Sequence, residues 1–585
     1  MIHYEEVKKA LENILEGEVS QEKKDLENAS TDWSLFKIQP DLVVYPKSAK
    51  DIQNLVQYVN NYNQNSEQKL TLTPRAAGSD MSGGPLNHSI IVDVTRYMNH
   101  IGEIKLGDFG TQEHRAGFPY SIAGKVRVEP GTKYIPFEET TLKKNLLMPT
   151  FPASRKLAAV GGMVANNGAG EKSFKYGQNK DFVNMLSVVL ADGNEYEIKP
   201  WDYAELQSVI AQENFLGKVS SEIFSLVEKN WELIQSKKPQ TTKNSSGYLL
   251  WNIISAASIE DFKKGIGFFD LTKLFVGAQG TTGIITEIEY KLIPYESKEE
   301  MLVIFVNDIY DLPKIVEIFK SHDLDTIELY DDHTFKIGIK FFKDFIKDKG
   351  FFDALRYVLR FVPEFWRALT GGIPKFIILG ESADKESKQV HLETLKALKD
   401  IQTNLPHANA FLATGRSAQK YWDFRHDSFK LLTEHSKKAR NAGAGTRTAP
   451  FIDDIAIRAE HLPEYLPRLT TILDEYKKDF MYTIAGHLGD GNFHIVPIVD
   501  MFDEKNKKRI LEISERVYDL VIEYEGTITA EHNDGIIRTP FLPQMFGDDM
   551  MAVFKETKKI LDPKNIFNPG KKVGMTKDDI EKYLA

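Results

Sequence analysis

The sequence predicts an α+β protein of more than one domain. Three observations point there. Short apolar strands separated by glycine-rich turns fill the first half, to about Pro294. From Met301 to about Leu398, strand-like runs alternate with a helix-like one. Finally, 585 residues exceed the ~150 expected of one domain, and with 42% hydrophobic and 27% charged residues the chain can bury a large core.

The elements follow in order. "MIHYEEVKKALENILEGEVS" has helical spacing and acidic residues but no apolar h-region, so it reads as a helical extension (1–37) and not a secretory signal. "DLVVYPKSAKDIQNLVQYVNNYN" reads as strand, turn and helix, with Ile52, Leu55, Val56 and Val59 on one helical face. "QKLTLTPRAAGSDMSGGPLNHSIIVDV" passes from strand through a glycine-rich turn back to strand. Further strands are expected in "GKVRVEPG", "NMLSVVLADGNEYEI" and "GIITEIEYKLIP", then in "MLVIFVN" and "KFIILGE" around the helix "DLPKIVEIFKSH". With no repeat and no low-complexity linker, the domains are expected to pack closely.

Composition excludes several classes. There is no cysteine, so disulfides, thiol catalysis and self-ligated iron–sulfur clusters are out, and any metal must be held by nitrogen and oxygen. A net charge of −10 argues against nucleic acid as a partner. No stretch approaches ~18 uninterrupted apolar residues, so no membrane span is expected.

Two glycine-rich loops carry the next signal. "TPRAAGSDMSGG" (73–84) and "FPASRKLAAVGGMVANNGAG" (151–170) offer small residues whose N–H groups can turn toward phosphate oxygens, with Arg75 as a source of charge. "FVGAQGTTGIIT" (275–286) adds a third. The nicotinamide fingerprint G-x-G-x-x-G is absent; "GAGTRT" (443–448) ends in threonine. Together with "STDWSLFKIQPDLVVYPKS", "VEPG", "SFKYG" and "DLTKLFVGAQGTTGIITEIEYKLIP", these segments resemble, in family order, the FAD-binding domain of the vanillyl-alcohol-oxidase (p-cresol methylhydroxylase-type) superfamily. The resemblance implies a two-subdomain FAD-binding domain over 38–295. Arg75, Ala76, Ala77, Gly78, Ser79, Ser82 and Gly83 would cradle the pyrophosphate. Pro152, Ser154, Gly161, Gly162 and Asn166 would line the ring and ribityl chain, and Gly283, Ile284 and Ile285 would close near the cofactor. Ser79 stands where covalent relatives carry a flavin-linking histidine, so the FAD is expected to be non-covalent.

"GHLGDGNFH" (486–494) sets His487 and His494 on either side of a Gly-Asp-Gly turn, and "TITAEHNDG" adds Glu531 and His532. Two imidazoles and a carboxylate are a common ligand set for a catalytic divalent ion. With the tail "LDPKNIFNPGKK", these motifs resemble the C-terminal part of the FAD-linked 2-hydroxy-acid dehydrogenases, whose members act on D-lactate, glycolate or D-2-hydroxyglutarate. That implies an α+β substrate (cap) domain over 296–530 and a C-terminal segment, 531–585, that completes the active site. It assigns His487, His494 and Glu531 to a metal (Zn, Mn or Fe), His532 to the base and Arg425, in "YWDFRHDSF", to the substrate carboxylate. Tyr248 is a weaker pocket candidate. The family usually has Glu-His-Gly; Asn533 here is expected to narrow the pocket or to bond the substrate. No iron–sulfur module is expected after this segment.

The expected function is FAD-dependent oxidation of a D-2-hydroxy acid to the 2-oxo acid. The alternatives are an alkyldihydroxyacetonephosphate synthase-like enzyme and a non-catalytic flavoprotein subunit of an electron-transfer complex. Expected partners are the small acid, an electron acceptor (a quinone, an electron-transfer flavoprotein or a separate iron–sulfur subunit) and a second copy of the chain. Residues 335–376, aromatic at helical spacing and with nine basic against four acidic residues, are expected to form a basic amphipathic insertion. Such a segment suits peripheral contact of a cytoplasmic protein with the inner membrane face; its alternatives are a cap over the pocket or a subunit contact.

Overall fold

A computed structural model of the chain describes residues 2–113, 119–333, 374–384, 387–415, 417–423, 425 and 446–584. The amphipathic insertion, up to residue 373, lies outside the described residues. Among those described, no helix is long and apolar enough to cross a membrane.

The first half builds two main sheets. One has four strands in the order Glu18–Ser20, Leu42–Tyr45, Ile90–Asp93, Leu72–Arg75. Its last three strands run parallel and the first is antiparallel. The N-terminal segment is therefore more than a helical extension, since it supplies an edge strand. The Asp51 carboxylate fixes that strand's approach by accepting the N–H groups of Glu16 and Gly17 at 2.8 and 2.9 Å. Helix Ala49–Asn65 covers this sheet with Ile52, Leu55, Val56 and Val59, all fully buried on the expected face. The second sheet is antiparallel, in the order Glu195–Ile198, Val183–Val189, Ile284–Pro294, Gly124–Val128, Lys105–Leu106.

The second half forms a seven-stranded antiparallel sheet. Its order is Asn409–Ala413, Lys298–Val306, Phe376–Asp384, Thr326–Asp331, Ile484–His487, Asn492–Ile495, Ile455–Ala456. Because side chains alternate across a strand, Leu302 and Ile304 join the core with Ile315 and Phe319 of helix Leu312–Ser321. Met301 and Val303 join a smaller core with Tyr330 and Tyr421 on the other face.

The C-terminal segment threads back through the first half. Ile566 and Asn568 bond the backbone of Leu72, and the Asn568 amide donates to Gly84 O and Gln279 O at 2.9 and 2.7 Å. Lys572 and Asp534, both fully buried, pair at 2.7 Å, and Lys572 also donates to Ser245 O and Gly247 O. Removing one partner of a buried pair strands the other charge. Lys572→Met is therefore expected to lower unfolding stability by about 3–5 kcal/mol. An unchanged thermal midpoint would show that this clamp does not hold the segment.

Candidate active site

The strand register assembles the histidines. Glu328 lies opposite His487, and Ala485 lies opposite both Tyr330 and His494. Cross-strand partners share a face, as do residues two apart along a strand, so Glu328, His487 and His494 line one side of the sheet. The connecting turn, Leu488–Asp490, closes through Gly491 at φ 60°. A Cβ there would come within 1.7 Å of the Ile457 carbonyl oxygen, so only glycine fits.

Each ring has its Nδ1 held by an acceptor. His487 Nδ1 donates to Glu328 Oε1 at 2.5 Å, His494 Nδ1 to the Asp453 carbonyl at 2.9 Å, and His532 Nδ1 to Asp453 Oδ2 at 2.6 Å. That leaves three Nε2 atoms around one oxygen. Glu531 Oε1 lies 3.3 Å from His487 Nε2, 3.4 Å from His494 Nε2 and 4.0 Å from His532 Nε2. The rings of His494 and His532 stack, with centroids 5.0 Å apart. The other Glu531 oxygen takes the buried Lys243 ammonium at 2.9 Å.

Electrostatics follow from these contacts. Burial opposes charge on His487, but Glu328 and Glu531 raise it to about 9. Burial likewise opposes charge on His532, yet Asp454 and Asp453 lift it to about 9, above the ~6.5 of an isolated imidazole. His494 is lowered by burial. Despite burial, Lys243 and His487 hold Glu531 well below the usual carboxylate range, and Arg538 and His532 hold Asp453 at about 2.

A divalent ion fits this donor set. The edge of a tetrahedron of ligands ~2.1 Å from an ion is ~3.4 Å, which is the spacing of Glu531 Oε1 from the two hairpin imidazoles. The Nδ1–H bonds supply the second-sphere acceptors that metal-bound histidines need. Asp454, His494, Glu531 and His532 also bring ligand atoms within 4.8 Å of one another. Asp454, however, is committed: its Oδ2 accepts the N–H groups of Glu531 and His532 and the Thr529 hydroxyl, and its Oδ1 the Asn492 amide. His487 lies outside that four-residue grouping, but its Nε2 stands 3.3 Å from the same Glu531 oxygen.

One cavity joins this centre to the glycine loops. Its wall runs from Trp33 and residues 74–81 past Pro152, Ser154, Gly161, Gly162 and Asn166 to Gly283, Ile284 and Ile285, and ends at Arg425, His494, Glu531 and His532. Among the described residues, the N–H groups of Ala77, Gly78 and Ser79 meet no acceptor, so they remain for an anionic ligand. A methyl group at Gly162 would press on Ala76 Cβ at 3.3 Å, so the two loops meet with no side chain between them. The cavity fits a long cofactor lying across both loops.

Several expectations need correction. Ser82 and Gly83 do not line the cavity: the N–H groups of Ser82 and Gly84 go to Asp80 Oδ2 and that of Gly83 to Asp32 Oδ2, so this half of the loop braces itself. The Arg75 guanidinium donates to the carbonyls of Asn28, Ala29 and Thr31 and ties down the N-terminal segment. Asn533 neither narrows the cavity nor faces it. It is buried at φ 71°, a conformation asparagine tolerates, and donates to Asn166 O and Gly277 O. Tyr248 is buried elsewhere, bonded to Thr281. Arg425 lines the cavity, with Nε and Nη2 3.1 and 2.9 Å from Glu328 Oε2.

Sequence reasoning missed Lys243, Glu328, Asp453, Asp454 and Arg538. Three left a signal: Glu328 interrupts the apolar "TIELY", and the acidic pair Asp453–Asp454 of "FIDDIAI" precedes an apolar run.

Comparison with known proteins places this architecture. The FAD binding domain family matches residues 40–199, and the family described as FAD linked oxidases, C-terminal domain, matches residues 296–572. The D-2-hydroxyglutarate dehydrogenase of Pseudomonas putida is 26% identical over 97% of this chain and 52% of its own length. The chain thus spans about half the length of the first curated relatives it matches. The glycolate oxidase subunit GlcD of Bacillus subtilis is 23% identical over 92% of this chain and 89% of its own. The solved structure of p-cresol methylhydroxylase with substrate bound superposes with a TM-score of 0.65 at 13% identity, over 98% of this chain and 97% of that one, and so shows the same fold. The chain thus joins an FAD binding domain to the C-terminal domain of the FAD linked oxidases, in the fold that p-cresol methylhydroxylase shows.

Proposed function

We propose that this chain oxidises a D-2-hydroxy acid to the 2-oxo acid, using non-covalent FAD and a divalent ion. The observation that carries the proposal is the convergence of His487, His494 and His532 on Glu531 Oε1 at the end of the flavin cavity. The names of the relatives, D-2-hydroxyglutarate dehydrogenase and glycolate oxidase subunit, support the substrate class.

Bound FAD supplies a hydride acceptor, and a divalent ion supplies a Lewis acid for the substrate hydroxyl and carboxylate. The residues do the rest. His487, His494 and Glu531 would hold the ion, with Lys243 taken up by Glu531 Oε2 and Oε1 left facing the imidazoles. His532 Nε2 takes the hydroxyl proton as the α-hydrogen leaves with its electron pair. Arg425 supplies the cation for the substrate carboxylate. Electrons then pass to an outside acceptor: a quinone, an electron-transfer flavoprotein or an iron–sulfur subunit.

The reading is tested by mixing the holoprotein anaerobically with D- and L-2-hydroxy acids. A D-acid should bleach the flavin, chelation or His487→Ala should stop bleaching with FAD still bound, and acid precipitation should release all flavin to the supernatant. No bleaching by any hydroxy acid would contradict it. The roles separate as well. His532→Asn should slow reduction at saturating substrate by about 10²–10⁴-fold. Arg425→Met should weaken substrate binding roughly ten- to hundredfold, the value of a charge-assisted bond. Small, equal effects would mean that other residues play these parts.

A further inference from the structure

Asp453 sits where two parts of the site cross. Its neighbours Ile455–Ala456 pair with Asn492–Ile495, the strand of His494, and Ala456 also pairs with Thr527 ahead of His532. From there it makes three polar contacts. Its carbonyl accepts His494 Nδ1–H, its Oδ2 accepts His532 Nδ1–H at 2.6 Å, and its Oδ1 takes the guanidinium of the fully buried Arg538. Arg538 donates on to Asn533 O at 3.0 Å.

We propose that Asp453 is the positioning residue that sets His532 as the base, by holding the ring proton on Nδ1 and leaving the Nε2 lone pair facing the cavity. This rests on the reaction proposed above. The geometry separates two duties within one residue, because the backbone serves His494 and the side chain serves His532. A side-chain change therefore perturbs the base and spares the ligand.

Arg538 makes Asp453→Asn informative. A guanidinium only donates, so the new amide must turn its oxygen to Arg538 and its NH₂ to His532. Two donors cannot share a bond, so His532 must offer a lone pair at Nδ1 and carry its proton on Nε2, the wrong tautomer for a base.

Three readouts test this: flavin reduction and nitrogen NMR on the holoprotein, and ion binding to the chelator-stripped protein. Stopped-flow flavin reduction by Asp453→Asn should fall about 10²–10⁴-fold at saturating substrate, with the apparent substrate Kd within about threefold of wild type. In a His532→Asn background the same change should cost little more, because one unit has already been lost. Calorimetric binding of Zn²⁺ or Mn²⁺ to chelator-stripped protein should be unchanged. Nitrogen NMR of ¹⁵N-histidine-labelled protein should move the His532 proton from Nδ1 to Nε2 in the variant. The proposal is overturned by wild-type reduction rates, by an undiminished loss in the His532→Asn background, by ion affinity falling in parallel, or by a ring that keeps its Nδ1 proton. The NMR readout needs no turnover, so it decides on Asp453 even if no hydroxy acid reduces the wild-type flavin, a result that would count against the reaction instead.

Discussion

The site depends on keeping one ionised carboxylate, Glu531, buried. An isolated carboxylate away from water would take up a proton, and the surroundings prevent that. Lys243 holds one oxygen, the imidazoles surround the other, and Asp454 grips the backbone N–H groups of Glu531 and His532. These groups come from the loop after helix Trp231–Ser236, the seven-stranded sheet and the C-terminal segment, so the centre forms only when all three are docked.

A charge count explains why two rings are pushed so high. Among the described residues, Glu328, Asp453, Asp454, Asp490 and Glu531 are buried carboxylates of this centre, and Lys243, Arg425 and Arg538 are its fixed cations. Five negative groups against three positive ones leave an excess of two. Protons on His487 and His532, each raised to about 9, meet that excess. A divalent ion would meet it equally and displace those protons, as metal binding commonly does. Among the described residues, the other group with ligand spacing is Asp331, Asp332 and His333.

Much of this was legible in the sequence because the signals are local. Strand and helix periodicities located the sheets, and a period-two strand on each side of Gly-Asp-Gly was enough to place His487 and His494 on one face. What failed depends on where backbone hydrogen bonds go. "SDMSGG" reads as a phosphate nest, yet Asp80 and Asp32 consume the N–H groups of Ser82 to Gly84. Asn533 reads as an obstruction, yet its left-handed backbone turns the side chain into a tie between loops. The acceptors that fix the rings were missed for a third reason: Glu328 precedes its partner His487 by 159 positions and meets it only through sheet register.

The central claim is that His487, His494 and Glu531 form one ion site while His532 stands beside it. Anomalous diffraction from crystals of the holoprotein, collected across the absorption edge of the bound metal, tests it most directly. The account predicts a single strong peak ~2.0–2.2 Å from Nε2 of His487, Nε2 of His494 and the Glu531 carboxylate, with His532 Nε2 outside bonding distance. A peak ligated by Asp454 and His532 without His487, or one at Asp331–His333, would contradict it.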